Sequence, residues 1–243
     1  MFSFLWKVFL HQPLYNALVF LISVVPGHDL GIAVILLTLL VKIILIPLSK
    51  KMINDQILMK KIEPRLQEIK EKYKNNKEEL SRKTLEIYRE FKINPLSSVF
   101  TMVIQICVVI ALYFIITKSI NEKEAILYPF ISYPDSVKMM FLGFVDLAAK
   151  SLPIAILVGI GQFVQAELTI DKPKKVENQG KEVSFKDDFA RSMDIQIRYV
   201  LPIFIAFIAS ALPSLVGLYW LTSSVFTTIQ TIYLKKHLNK KHL

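Results

Sequence analysis

One charged residue lies deep in an apolar run. Lys42 sits within residues 32–48, which otherwise hold only aliphatic residues, Thr38 and Pro47. At a helical rise of ~1.5 Å per residue, it would lie roughly 16 Å from Gly31 and roughly 9 Å from Leu48. A charge at a helix centre costs about 2.5–3.5 kcal/mol on insertion scales. The position therefore calls either for water and polar partners, or for snorkelling of the ammonium to the nearer interface. Other apolar runs add polar residues on single helical faces. Ser98, Thr101 and Gln105 recur at steps of three and four, and Gln162 and Gln165 fall near the end of a further run. Trp220, Ser224, Thr227, Thr228 and Thr231 form a stripe along the last run, and Thr38 is one turn from Lys42 on the same face. Each stripe alone is consistent with hydrogen bonding between helices, the usual role of Ser, Thr and Gln in membranes. Together they share a side and a depth, while the outer halves of the runs are almost purely apolar. The pattern predicts a hydrated pocket, open to one side of a membrane, with Lys42 as its only fixed charge. Its chemistry is electrostatic attraction of an anionic group.

Other chemistries have little support. His11, His28, His237 and His242 are terminal or loop residues. There is no metal-ligand spacing, no G-x-S-x-G and no Gly-rich phosphate loop, so neither a cofactor nor a metal nor an enzymatic centre is expected. Glu167 and Asp194 fall at helix ends and read as interfacial, and no carboxylate lies deep in a run. Ion- or proton-coupled transport usually needs such relays. No inverted repeat or pair of broken helices is visible either.

These residues need apolar helices to position them. The chain has 243 residues, 53% of them hydrophobic, and the apolar ones fall in blocks rather than in amphipathic spacing. Blocks of about 17–25 residues match the ~30 Å of a bilayer core. Five can span, giving an all-α polytopic membrane protein with a five-helix transmembrane core. The first transmembrane helix is 29–49, the second 95–118 and the third 151–169. The fourth and fifth share 197–234, where the fourth run, 199–212, is short and turns at Leu212-Pro213-Ser214. Of the 30 Lys and Arg, thirteen lie in 49–95, seven in 169–198 and four in 235–243, against five on the other side. The positive-inside rule makes the first three segments cytoplasmic, the N-terminus external and the C-terminus internal. The net charge of +10 is thus a property of loops, and no specific nucleic acid partner is expected.

The connections have structure of their own. In 50–94, Leu58, Ile62, Leu66, Ile69 and Tyr73 recur at helical steps, as do Leu80, Thr84, Ile87 and Phe91 after the turn at 74–77. This predicts a cytoplasmic antiparallel helical hairpin, with two separate surface helices as the alternative. Pro64 marks either a helix start or a kink. Residues 119–150 read as an extracytoplasmic loop, 170–196 as a cytoplasmic loop with a mobile polar stretch at 171–190, and 235–243 as a short basic tail. Residues 1–28 read as an amphipathic helix lying on the outer face, with a further span as the alternative. No cleavable signal is evident, and Cys107, the single cysteine, reads as packing.

The order of the motifs carries a resemblance. Pro13-Leu14-Tyr15-Asn16 precedes the run around Lys42; Ile93-Asn94-Pro95-Leu96 is followed by Gln105. Asp146-Leu147 and Leu152-Pro153-Ile154 precede Gln162, and Gly217-Leu218-Tyr219-Trp220-Leu221-Thr222-Ser223-Ser224 precedes Gln230. Over nearly its whole length the sequence resembles the YidC/Oxa/Alb membrane insertases, in a short bacterial form. The resemblance implies a cationic hydrophilic groove, open to cytoplasm and lipid, that binds clients through Lys42, Thr38, Ser98, Thr101, Gln105, Gln162, Gln165, Trp220, Ser224 and Thr228. The family's usual Arg is Lys42 here, which keeps the charge and loses the bidentate fork. A frequent Pro is Thr101, and a frequent Asn is Ser224. Implied partners are nascent membrane proteins and the lipid bilayer, then the Sec translocon, the signal recognition particle receptor and the ribosome. The implied location is the bacterial cell membrane. A small-solute or anion channel, and an assembly scaffold that translocates nothing, remain the alternatives to an insertase.

Overall fold

The structure is a computed structural model, and it describes residues 6–94, 97–115, 127–134, 136–169 and 192–241, without the side chains of 98, 99, 101, 102 and 239–241. It divides into two compact units, 1–43 with 107–229, and 44–106 with 230–243.

The first unit begins with a π-turn, Lys7–His11, that runs into α1, Gln12–Val24, with Pro13 in its first turn. Pro has no N–H to lose there. The chain turns at Pro26–His28, where Gly27 takes φ +72°. Asp29 then caps α2, Leu30–Ile44, its Oδ1 accepting from the amides of Gly31 at 2.8 Å and Ile32 at 3.1 Å. A carboxylate on these orphan donors also complements the helix dipole. The remaining helices are α5, Ser97–Phe114, α6, Leu152–Thr169, α7, Leu201–Ala211 preceded by a π-turn Gln196–Val200, and α8, Ser214–Lys241. α5 and α8 each contribute residues to both units.

α6 and α7 pack closely because small residues face each other: a Cβ on Gly159 would come within 2.8 Å of the Ala206 Cβ. Close backbone approach of this kind is how helices associate in lipid. Outward, the same helices expose Ile156, Ile160, Ile203, Phe204 and Phe207. A water-facing surface would not carry so continuous an apolar coat. Between α5 and α6, β1, Met140–Phe141, pairs antiparallel with β2, Val145–Asp146. The segment is sewn to helix ends: the Tyr128 amide donates to Asn16 Oδ1 at 2.7 Å, and the Leu30 amide to the Lys138 carbonyl at 3.1 Å.

The second unit holds α3, Ile46–Lys72, and α4, Lys77–Glu90. Asn76 caps α4, accepting from the Glu79 amide at 3.1 Å. Ile62, Leu66, Ile87 and Ile93 form the buried seam between the arms, flanked by Leu58, Ile69 and Phe91. All but Ile93 are stripe positions read from the sequence. Pro64 lies inside α3 without ending it. In the same unit, Ile53 and Ile57 pack on Leu234 and Leu238.

Among the described residues three helices are long and apolar enough to cross a membrane: Lys7–Val24, Leu152–Thr169 and Ser192–Ala211. They become four if α2 and α3, broken at Leu45 before Pro47, count as one span. Five were expected. α5 adds a shorter apolar stretch, Val103–Phe114, and α8 falls outside the set because Ser and Thr dilute its apolarity. The helix expected on the outer face meets the same measure as a span. The short fourth run is helical at least as far back as Ser192, and its Arg198 is paired with Asp194 and Glu167. The basic tail continues α8 to Lys241 rather than forming a separate segment. The polar stretch 171–190 lies outside the described residues.

Candidate functional site

Lys42 is placed by the C-terminal half of α2. The first half of that helix is buried through Leu30, Ala33, Val34 and Leu37, while Ile43 and Ile44 are exposed, so the helix leaves its packed region near Lys42. The ammonium is half-buried and donates to Thr227 Oγ1 on α8 at 3.0 Å. Thr227 belongs to the polar stripe, but it was not among the residues the resemblance pointed to; its spacing was the available signal.

The other expected residues separate into two groups. Ser224 is buried and joins α8 to α6, its Oγ lying 2.8 Å from Gln165 Oε1 and 3.0 Å from the Gly161 carbonyl. Thr228 Oγ1 donates back to the Ser224 carbonyl at 2.8 Å, and Thr38 Oγ1 to the Val34 carbonyl at 2.6 Å. Trp220 is half-buried against the cluster of Ile154, Ala155, Val158 and Ala209, and Gln162 is half-buried on α6. Ser224 and Gln165 therefore hold helices together, at about 0.6–2 kcal/mol per contact. Thr38 and Thr228 satisfy their hydroxyls within their own helices. Gln105 is half-buried in the second unit, and the side chains of Ser98 and Thr101 lie outside the description.

Lys42 is not the only cation in an apolar helix. Arg198, 2% exposed, lies in the helix Ser192–Ala211. Its Nε donates to Asp194 Oδ1 at 2.6 Å and its Nη1 to Glu167 Oε2 at 3.0 Å, tying the end of α6 to the start of the next helix. The two carboxylates read as interfacial are thus ligands of a buried guanidinium. The Asp194–Arg198 spacing of four was legible as a helical pair; the Glu167 contact was not, because it joins different helices.

In the second unit an open cleft of about 360 Å³ runs along the hairpin, lined by Arg65, Glu68, Lys72, Lys83, Glu86 and Glu90 among others. The Arg65–Glu90 pair, at 3.0 Å, crosses it. The Lys83 ammonium, hydrogen-bonded at 2.7 Å, holds the Glu86 carboxyl below the usual carboxylate range.

A family model described as 60Kd inner membrane protein matches residues 21–241. A protein of Francisella philomiragia subsp. philomiragia named membrane protein insertase YidC is 32% identical over 212 residues, 87% of this chain and 33% of that relative. Proteins of the same name from Francisella tularensis subsp. novicida and subsp. tularensis are each 31% identical over the same shares. The chain spans about one third of the length of these relatives.

Proposed function

The chain belongs to the 60Kd inner membrane protein family, a family of multi-pass inner-membrane proteins, and from that premise we propose that it is a membrane protein insertase that lowers the barrier to moving a short polar segment of a client across the bilayer. The observation that carries this reading is Lys42 in an apolar helix beside the hydroxyl stripe of α8. A fixed cation part-way along an apolar helix attracts the acidic flank of a client, while the client's own apolar helix moves into lipid. Burial of ~20 apolar residues drives the step, so no nucleotide is required. Hydroxyls and water around Lys42 reduce the cost of holding the charge at that depth. The groove is cationic, opens to cytoplasm and lipid, and belongs to a five-helix core with the N-terminus outside and the C-terminus inside. The clients are nascent membrane proteins. The helical hairpin, with its dense coat of both charge signs, is a docking arm for clients and for the targeting machinery.

The deciding experiment reconstitutes the purified protein in vesicles and measures protease-protected insertion of a single-span client with an acidic leading tail. Insertion well above that of empty vesicles is expected. No gain from a protein whose helicity is intact overturns the reading. Conductance in planar bilayers without any client would favour a channel instead.

A further inference from the structure

The β-hairpin 140–146 carries an apolar tip that water does not favour. Leu142 and Gly143 take φ +50° and +77° between β1 and β2. Two positive φ values make the tight turn that Asn-Gly or Gly-Gly fills at low cost. Leucine in that region costs roughly 1–2 kcal/mol. The turn persists because the Leu142 amide donates at 3.0 Å to Asp29 Oδ2, the carboxylate that also caps α2. On the inward face, the Phe141 ring occupies the space a Cβ on Gly31 would need, and Val145 packs against the Ile154 cluster. At the tip, Leu142 is 60% and Phe144 88% exposed, with Met140 beside them also exposed. A disfavoured backbone position thus presents an exposed leucine next to an almost bare phenylalanine.

The depth of the tip follows from its ties. The Leu147 amide bonds to the Met139 carbonyl, the Leu215 amide to Leu147, and the Ser214 amide to Ala149. Leu30, Leu152 and Ser214 begin α2, α6 and α8. The hairpin therefore stands where three helices start, and α6 is long and apolar enough to span. That level is the membrane–water boundary, where aromatic and amphipathic side chains gather. Lys138 and Lys150 are exposed on either side of the hairpin. The Asp146 carboxylate is engaged by the Ala148 and Ala149 amides at 2.9 and 3.4 Å. The flanking cations suit lipid phosphates.

The geometry points to an interfacial anchor: Leu142 and Phe144 enter the boundary between headgroups and acyl chains, and Lys138 and Lys150 reach the phosphates of anionic phospholipid. This inference rests on membrane residence alone and is independent of insertase activity. Its test uses the full chain with Cys107→Ser in phosphatidylethanolamine–phosphatidylglycerol vesicles, with a nitroxide on Met140→Cys or, as control, Ser136→Cys. The Met140 label should collide with oxygen in preference to an aqueous nickel chelate, and the Ser136 label should show the reverse. Adding L142N and F144S, which suit the turn in water, should turn the Met140 label to the chelate by severalfold. The anchor is overturned if the Met140 label is as open to the chelate as the Ser136 label. Shielding from both reagents, which signals cover by protein, also overturns it, as does an unchanged preference in the double variant.

Discussion

At the scale of single residues, half-buried Lys42 and buried Arg198 do different work. Lys42 is proposed to act through its charge, so Lys42→Arg should insert clients as well as the native chain. Lys42→Glu should lower the insertion yield of a client with an acidic tail by roughly tenfold, the ratio given by ~1.4 kcal/mol. A client with an uncharged tail should be little affected. Equal yields for both clients would remove the electrostatic role. Arg198 acts through its partners. Arg198→Met leaves Glu167 and Asp194 facing each other and should cost about 1–3 kcal/mol in detergent unfolding, below the ~3–5 of a fully buried pair because Glu167 is 33% exposed. Adding Glu167→Gln and Asp194→Asn should restore most of the loss. The isolated Lys was conspicuous in sequence because nothing near it was charged. Arg198 was counted among loop cations although Asp194 lies four residues before it; its tie to Glu167, 31 residues away on another helix, leaves no local pattern.

At the scale of elements, α3 and α4 show how apolar spacing becomes a packed seam. Their apolar stripes repeat at helical steps, Asn76 caps the second arm, and Glu78 and Glu79 occupy that arm's first turn, where the helix dipole favours acids. Leu66→Ser with Ile87→Ser removes two of the four buried seam residues, at about 2–4 kcal/mol each, which exceeds what a short two-helix unit holds. Protease should then cut within 58–91 while the apolar helices stay protected, and insertion yield should fall. Unchanged insertion would make the arm dispensable; loss of protection throughout would make it a pillar of the fold. Acid should also loosen this arm. Glu86 has a lowered pKa, so its contribution is present above the ordinary carboxylate range and is lost as pH falls through that lowered value. The pair is exposed, so the helicity change should be small and should vanish in Glu86→Gln. The segment 127–150 was read only as a loop. Its hairpin is built from two-residue strands, too short for an alternating pattern to stand out, and Leu142-Gly143 is not a turn signal of the usual kind.

At the scale of the whole molecule, orientation is the property that charge controls. Twenty-four Lys and Arg in 49–95, 169–198 and 235–243 oppose five on the other side, which predicts that a tag at the N-terminus is accessible from outside intact cells and one at the C-terminus only after lysis. Protection of both tags would instead make Lys7–Val24 a further span, a reading its length and composition allow. The apolar coat of α6 and α7 makes the bilayer part of the folded environment, so detergent extraction should lower thermal stability relative to vesicles.

Membrane class, helical composition, the apolar spacing within 50–94 and the isolation of Lys42 in its apolar run are properties of the sequence itself. Each depends on periodicity or on local contrast in polarity, which survive without knowledge of neighbours. The partners of the polar residues are different. Ser224 reaches Gln165 across 59 positions, Lys42 reaches Thr227 across 185, and Asp29 holds Leu142 across 113. Such pairings follow from which helices pack together, and packing is chosen by the total of small apolar and polar contacts rather than by any one residue. Tertiary structure alone therefore decided that some stripe residues tie helices together, that Thr227 faces Lys42, and that the turn before the fourth run holds a guanidinium satisfied by carboxylates of the protein.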